Sequence, residues 1–341
     1  MKTALFADGQ EEWNQFVAET PAATLFHDLR WRGVIEDTFG LRAHYLEVRD
    51  EGRLAGVLPM FQVPLPVARS ALISLPFLNY GGPLARTPEA RQAVLAHAEG
   101  LADRLGVRYL ELRAREPLGS RFATSGHKET YEVALDAGAE GVWKALNSSV
   151  RNKVRKAAKS GVAVRTGLDL LPRFYECYAH NMRDLGTPVV GQGFFERIAA
   201  AFPEESEVLV AEHEGRAVGG KFVMMQRGVM YFIWASSVRE ALRLAPNDAL
   251  NWCGIELACE RGLESCDFGR STRGSSHAAY KQQWATQPRP LYWERYSPDG
   301  RPDAAPLREN RPVYRLASAC WQRLPLPVAN RLGPFLSRYL P

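Results

Sequence analysis

Two tandem mixed α/β domains are predicted from this sequence, and three observations predict them. The chain has 341 residues, enough for two domains of ordinary size. The segments 45–63, YLEVRDEGRLAGVLPMFQV, and 207–225, EVLVAEHEGRAVGGKFVMM, share one pattern. In each, apolar runs of period two flank a Glu-Gly-Arg turn, and a second Gly starts the return strand, as in a β-hairpin. A second pair, LADRLGVRYLELR (101–113) and LACERGLESCDFG (257–269), shares another pattern: a helix end, a Gly stop and a short strand. The pairs are offset by 163 and 156 residues, which fits one duplication with a small insertion or deletion.

Taken in order, each half opens on helices, at EEWNQFVAE and LRWRGVIEDTFG in the first and at LLPRFYECYAHNMRDLG and GFFERIAAAF in the second. The hairpins follow. The apolar runs ALISLPFLNYGG (71–82) and VMYFIWASS (229–237) come next and read as buried strands, before the closing helix and strand. The expected division is 1–135 and 136–300, the latter with a basic helix at 148–160, and then a basic amphipathic tail at 301–341.

Composition narrows the function classes. Hydrophobic residues make up 46% and charged residues 24%, so the chain can bury cores and is not disordered. The opening MKTALFADGQEEW is too short in its apolar run and too acidic for a signal peptide, and no apolar run suits a spanning helix, so a cytoplasmic location is expected. Five cysteines without CxxC spacing suit reduced thiols, and seven scattered histidines without HxxxH or HExxH give no metal site. The net charge of +5 is concentrated: residues 151–159 carry five positive charges and 310–341 carry five arginines, neither with an acid. A nucleic-acid coat would spread its charge more widely.

The candidate site starts at SCDFGRSTRGSSHAAYKQQW (265–284). Asp267 ends a predicted strand and a polar loop follows, which is where open α/β sheets bind ligands. Arg270 and Arg273 can hold phosphate or carboxylate as bidentate forks, and Ser271 and Thr272 add hydroxyl donors. Lys281 and Trp284, three apart on a following helix, are expected on one face. The alternative is a solvated loop with a buried Trp. Asn181, Arg183 and Asp184 lie near a helix end closed by Gly186 and Pro188, as substrate contacts or as surface pairs; His180 reads as structural. Asn79 and Tyr80 with Gly81 and Gly82 let a ligand approach the backbone, or form a plain turn.

Two further segments are basic. In SSVRNKVRKAAKSG, Val150, Val154 and Ala157 form an apolar stripe, while Arg151, Arg155 and Lys159 stack beside Lys153 and Lys156. Like charges at that spacing repel. The helix therefore faces a polyanion, an acidic membrane or plain solvent. The tail YRLASACWQRLPLPVANRLGPFLSRYLP (314–341) mixes large apolar residues with arginines only, which suits a membrane interface or packing back on the core.

With these elements placed, the chain resembles the GNAT acyltransferase fold in tandem. It is similar to the FemAB-like aminoacyltransferases, and most closely to the FemAB-related proteins of PEP-CTERM and exopolysaccharide systems. The stretches that carry the resemblance are LPFLNYGGPLA (75–85), VWKALNSSVRNKVRKAAKSGV (142–162), NMRDLGTPV (181–189), DFGRST (267–272) and YKQQW (280–284). The resemblance implies acyl or aminoacyl transfer to an amine or hydroxyl of a cell-envelope, peptidoglycan-like or exopolysaccharide precursor. It implies aminoacyl-tRNA or acyl-CoA as co-substrate, with no tightly bound cofactor. The partners are then an anionic, free or lipid-linked precursor and the inner membrane face. Asp267 and Lys281 become the catalytic candidates, and Tyr280 joins the substrate contacts.

Two departures stand out. The family's Phe-Lys-Lys-Gln-Trp-Gly is here Tyr280, Lys281, Gln282, Gln283, Trp284 and Ala285, one lysine short. Where a coenzyme-A-using GNAT carries Arg/Gln-x-x-Gly-x-Gly/Ala, this chain reads RLAPNDA (243–249), and Pro246 and Asp248 disfavour an anion nest of backbone N–H groups. The alternatives are a noncatalytic membrane-associated adaptor of an export system and an acetyl-CoA-dependent N-acetyltransferase.

Overall fold

The computed structural model describes residues 1–7, 9–65, 69–300 and 312–340, so 301–311 of the expected tail lie outside the described residues. The chain divides into two compact units. One takes Met1–Glu129, Pro290–Ala305 and Arg338–Pro341; the other takes Thr130–Arg289 and Pro306–Ser337. These bounds are not the contiguous ones expected. Residues Tyr292–Tyr296 return to pair antiparallel with Ala114–Leu110 of the first unit, a long-range backbone pairing with no local sequence signal.

In the first unit the hairpin at 45–63 forms between Leu46–Asp50 and Arg53–Leu58, turning at Glu51 (φ 47°) and Gly52 (φ 86°). Two left-handed residues are what a two-residue hairpin turn with the right twist needs. The second Gly of the repeat has a packing reason. A Cβ on Gly56 would lie 3.0 Å from Val94 of the helix Pro88–Leu105 and 3.3 Å from the Leu84 carbonyl. That helix starts at the Thr87 cap and stops at left-handed Gly106, and it buries Val94, Ala98 and Leu101 against the strands. The apolar run at 71–82 is a strand only over Ser70–Ser74. This unit also buries a charged triad: Glu111 accepts from Arg113 Nε (2.8 Å) and Arg295 Nε (2.7 Å). Burial would raise the Glu111 pKa, but the two guanidiniums outweigh it and hold it low.

The second unit orders its strands Ala163–Thr166, Ser206–His213, Arg216–Gln226, Val229–Ser237 and Ser265–Asp267, followed by the Glu132–Ala134 end of another. All neighbours are antiparallel except Val229–Ser237 with Ser265–Asp267. That parallel pair is joined through the helix Pro246–Glu260, as a parallel connection requires. Side chains of Arg216–Gln226 alternate between faces. Phe222 meets Phe174 and Phe195 on one face, while Val223 and Met225 join Leu250 and Ile255 on the other. In the neighbouring strand the register slips opposite Phe222/Val223, leaving Ile233 as a bulge. One extra residue reverses the alternation, so Phe232 stays with Leu250 while Trp234 turns to Phe222.

The helix Leu171–Asp184 closes on this sheet over Gly220. A Cβ on Gly220 would lie 3.1 Å from both Cα and Cδ2 of Phe174. Gly220→Ala is expected to cost roughly 1–3 kcal/mol by overpacking. Urea unfolding should show a lower midpoint with an unchanged slope.

Candidate active site in the second unit

Lys221 shares the face of Val223 and Met225, and it is buried. Its amine donates to Asn251 Oδ1, stands 3.8 Å from the centroid of Phe232 and lies 5.7 Å from that of Phe268. An amide and two rings surround it where a carboxylate partner would be usual for a buried cation. Burial pushes its pKa down to about 7. The sequence reading passed over this residue, yet its signal was present: a lysine at an inward position of a period-two apolar strand.

Lys281 comes from the short helix Ser276–Gln282, which starts where the Ser275 hydroxyl accepts the Ala278 N–H. Its Nζ donates to the carbonyls of Gly269 (2.7 Å) and Arg270 (3.0 Å). Burial lowers its pKa to about 8, against the pull of the Asp267 carboxylate. Both lysines line one cavity of about 540 Å³, beside Phe232, Phe268 and the bulged Ile233.

A hydrogen-bonded chain runs back from Lys221. Asn251 Nδ2 donates to the Tyr280 hydroxyl (2.9 Å), which donates to Asp248 Oδ1 (3.3 Å). Asp248 is buried, which raises its pKa, with Lys153 pulling the other way. Asn251 and Asp248 belong to the first turns of the helix Pro246–Glu260. There Ala245 is left-handed (φ 58°), Pro246 has no N–H, and the Asp248 N–H is taken by the Ala245 carbonyl. The departure at 243–249 thus has a physical form: at the helix start Pro246 supplies no N–H and that of Asp248 is taken by the chain's own carbonyl.

Among the expected site residues, Asn181, Asp184, Tyr280 and Lys281 line the cavity, and Asn181 donates to Ser236 Oγ (3.1 Å). Arg183 does not. Its guanidinium binds Asp184 (2.6 Å) and the Leu324 carbonyl (3.2 Å), while His180 Nδ1 stands 3.3 Å from Asp184. Asp267 stands outside the cavity lining. It is buried, and one oxygen accepts from Thr130 Oγ1 and the Gly269 N–H, so it shapes the turn after its strand. Arg270, Ser271, Thr272 and Arg273 also stand outside the cavity lining, because the loop turns its carbonyls toward Lys281. Trp284 lies outside that lining too. The helix ends at Gln282, so Trp284 leaves the face of Lys281 and sits fully buried near Phe268 (6.0 Å).

Asn79, Tyr80, Gly81 and Gly82 belong to the first unit and are buried. A Cβ on Gly81 would run into Leu75, and one on Gly82 would lie 3.0 Å from Ala114 Cβ. These glycines serve close packing of the protein on itself. In the basic helix Ser148–Lys159, Arg151 caps the preceding helix through the carbonyls of Trp143, Lys144 and Leu146. Arg155 lies over Trp143 (5.4 Å) and Lys153 reaches Gln283 (3.5 Å), while Lys156 and Lys159 are exposed.

Residues 144–282, which hold both lysines, match the family model of the acetyltransferase (GNAT) domain. The second unit carries a GNAT acyltransferase domain. Among solved structures, FemX superposes with TM-score 0.63 at 15% identity, over 86% of this chain and 97% of its own. The C-terminal domain of a putative lysylphosphatidylglycerol synthetase from Agrobacterium fabrum gives 0.59 at 13%, over 83% and 90%. A tandem GNAT protein from the clavulanic acid biosynthesis pathway gives 0.57 at 12%, over 89% and 100%. Identities this low establish the fold alone, and that fold is the tandem GNAT arrangement that the resemblance implies. No curated protein matches the sequence.

The buried amine makes stability pH-dependent. With a folded pKa of about 7 against an ordinary 10.5, Lys221 binds fewer protons folded than unfolded between those values. Its contribution therefore rises with pH across that window and is least favourable below about pH 7. Lys221→Met should melt higher than the wild type by roughly 5 °C at about pH 6, relative to the difference between the two at about pH 10. A pH-independent difference in calorimetry would mean that Lys221 does not lose its proton in this window.

Proposed function

We propose that the chain transfers an acyl or aminoacyl group to an amine or hydroxyl of an anionic cell-envelope or exopolysaccharide precursor, in the cavity of the second unit. One observation carries this reading: a buried lysine and a half-buried one, both with lowered pKa values, share the wall of one cavity inside the GNAT domain. Acyl transfer needs a base for the acceptor's proton and a cation or donor for the developing oxyanion. Lys221, at about 7, takes the proton as the acceptor attacks the donor carbonyl. Lys281, held as the ammonium by two carbonyls, offers its remaining N–H to the oxyanion or to the precursor's phosphate. As the tetrahedral adduct collapses, the carbon–oxygen or carbon–sulfur bond to the donor breaks, and Lys221 returns its proton to the leaving hydroxyl or thiol.

The donor is an aminoacyl-tRNA or an acyl-CoA. Pro246 and Asp248 at the helix start favour the aminoacyl donor, because Pro246 offers a coenzyme diphosphate no N–H and that of Asp248 is already bonded to the Ala245 carbonyl. The structural likeness to a lysylphosphatidylglycerol synthetase domain is consistent with an envelope acceptor.

The test is transfer of label from aminoacyl-tRNA or acetyl-CoA to nucleotide-linked and lipid-linked glycan precursors. With the productive pair, kcat should rise with pH through about 7. Lys221→Met should lower it by roughly a hundredfold, a typical loss for a general base. Arg273→Ala should leave it unchanged. Absence of transfer from every donor would overturn the reading.

A further inference from the structure

The helix Leu326–Ser337 is built inside out. Its buried residues are the small ones, Ala329, Gly333 and Ser337, spaced i, i+4, i+8. They lie so close to the protein that a Cβ on Gly333 would stand 2.6 Å from the Val189 carbonyl. The large apolar residues Val328, Leu332, Phe335 and Leu336 recur at i, i+4, i+7 and i+8 and face outward, Phe335 at 71% exposure. The preceding helix Pro312–Gln322 adds Leu316 at 67%. A surface helix of a globular protein turns its apolar stripe to the core, and a continuous stripe turned outward marks a binding face.

Charge selects what binds there. Arg315 and Arg331 are exposed on the same two helices and Arg323 on the turn between them, and residues 310–341 contain no acid. Two copies meeting through this face would bring arginines against arginines. An anionic bilayer meets both the apolar stripe and the charge. The helix pair is also fastened at the cavity's rim. Gln322 Nε2 donates to the Asp184 carbonyl (3.0 Å), Ser318 Oγ donates to the Gly186 carbonyl (3.0 Å) and Arg183 reaches the Leu324 carbonyl. Between those anchors Leu185 is exposed and lines the cavity, as does Leu242.

The geometry points to a membrane-docking face. Val328, Leu332, Phe335 and Leu336 enter the headgroup region of an anionic bilayer, the arginines lie on its phosphates, and the cavity mouth at Leu185 and Leu242 is brought to the lipid surface. This face stands on the packing of the two helices, so it holds or fails independently of the transfer chemistry.

Co-sedimentation of the full chain with phosphatidylcholine vesicles, with and without phosphatidylglycerol, tests it. The wild type should sediment with the anionic vesicles and not with the neutral ones. Leu332→Asp with Phe335→Asp should weaken partitioning at least tenfold, and Arg315→Glu, Arg323→Glu and Arg331→Glu together on the order of a hundredfold. Far-ultraviolet circular dichroism and melting curves confirm that each variant is folded. Wild-type binding to neither vesicle, or equal binding by folded variants, overturns the proposal. So does a wild-type dimer in sedimentation equilibrium that the Leu332→Asp and Phe335→Asp changes dissociate, which would make the face a self-association surface.

Discussion

Burying one amine in the apolar face of a β-strand is the constraint around which the second unit is arranged. A carboxylate beside Lys221 would have kept it charged and inert. An amide and two aromatic rings satisfy one N–H and leave the rest of the amine in a cavity, poised to give up its proton. The neighbouring features follow from that placement. Gly220 lets the helix Leu171–Asp184 press on the far face, and the bulge at Ile233 keeps Phe232 beside the lysine while sending Trp234 to the opposite side. Asn251, which holds the amine, is itself held by Tyr280, whose hydroxyl ends on Asp248.

The duplication shows how the two halves have divided their work. With Gly56 matched to Gly219, the position of Lys221 in the first hairpin is Leu58, a fully buried apolar residue. The first unit buries charge elsewhere, at Glu111, Arg113 and Arg295, and there each carboxylate oxygen has a guanidinium. The two guanidiniums hold that carboxylate in its ionised form. An amine buried with an amide rather than a carboxylate as its hydrogen-bond partner is the opposite arrangement, costly to the fold and useful to chemistry.

Legibility in the sequence tracked the range of the interaction. The hairpins could be read because their determinants are adjacent: Glu51 and Gly52, Glu214 and Gly215, each pair left-handed between alternating strands. The helix stops at Gly106 and Gly262 were equally local. The return of Tyr292–Tyr296 to Leu110–Ala114 was hidden, because strand pairing across that separation leaves no periodic mark. At the site, residue type misled where geometry decided. Arg270 and Arg273 have the chemistry of an anion clamp, but Lys281 turns that loop by its carbonyls. Trp284 lost its place beside Lys281 when the helix ended two residues before it. Arg151 looked available until the end of the preceding helix claimed its guanidinium. Lys221 could have been found, as the single charge that breaks an inward-facing apolar alternation.

The pairing of Tyr292–Tyr296 with the first unit and the fastening of Leu324 to Arg183 have a temporal meaning. Each unit draws a structural part from residues far along the chain from the strands and helices it completes. The strand Leu110–Ala114 is made early and waits for a partner synthesised long after it, and the rim of the cavity waits for the helices Pro312–Gln322 and Leu326–Ser337. Until those segments emerge the Gly186 corner and the edge at Leu110–Ala114 stay open, and nascent chains are exposed to chaperones and to one another.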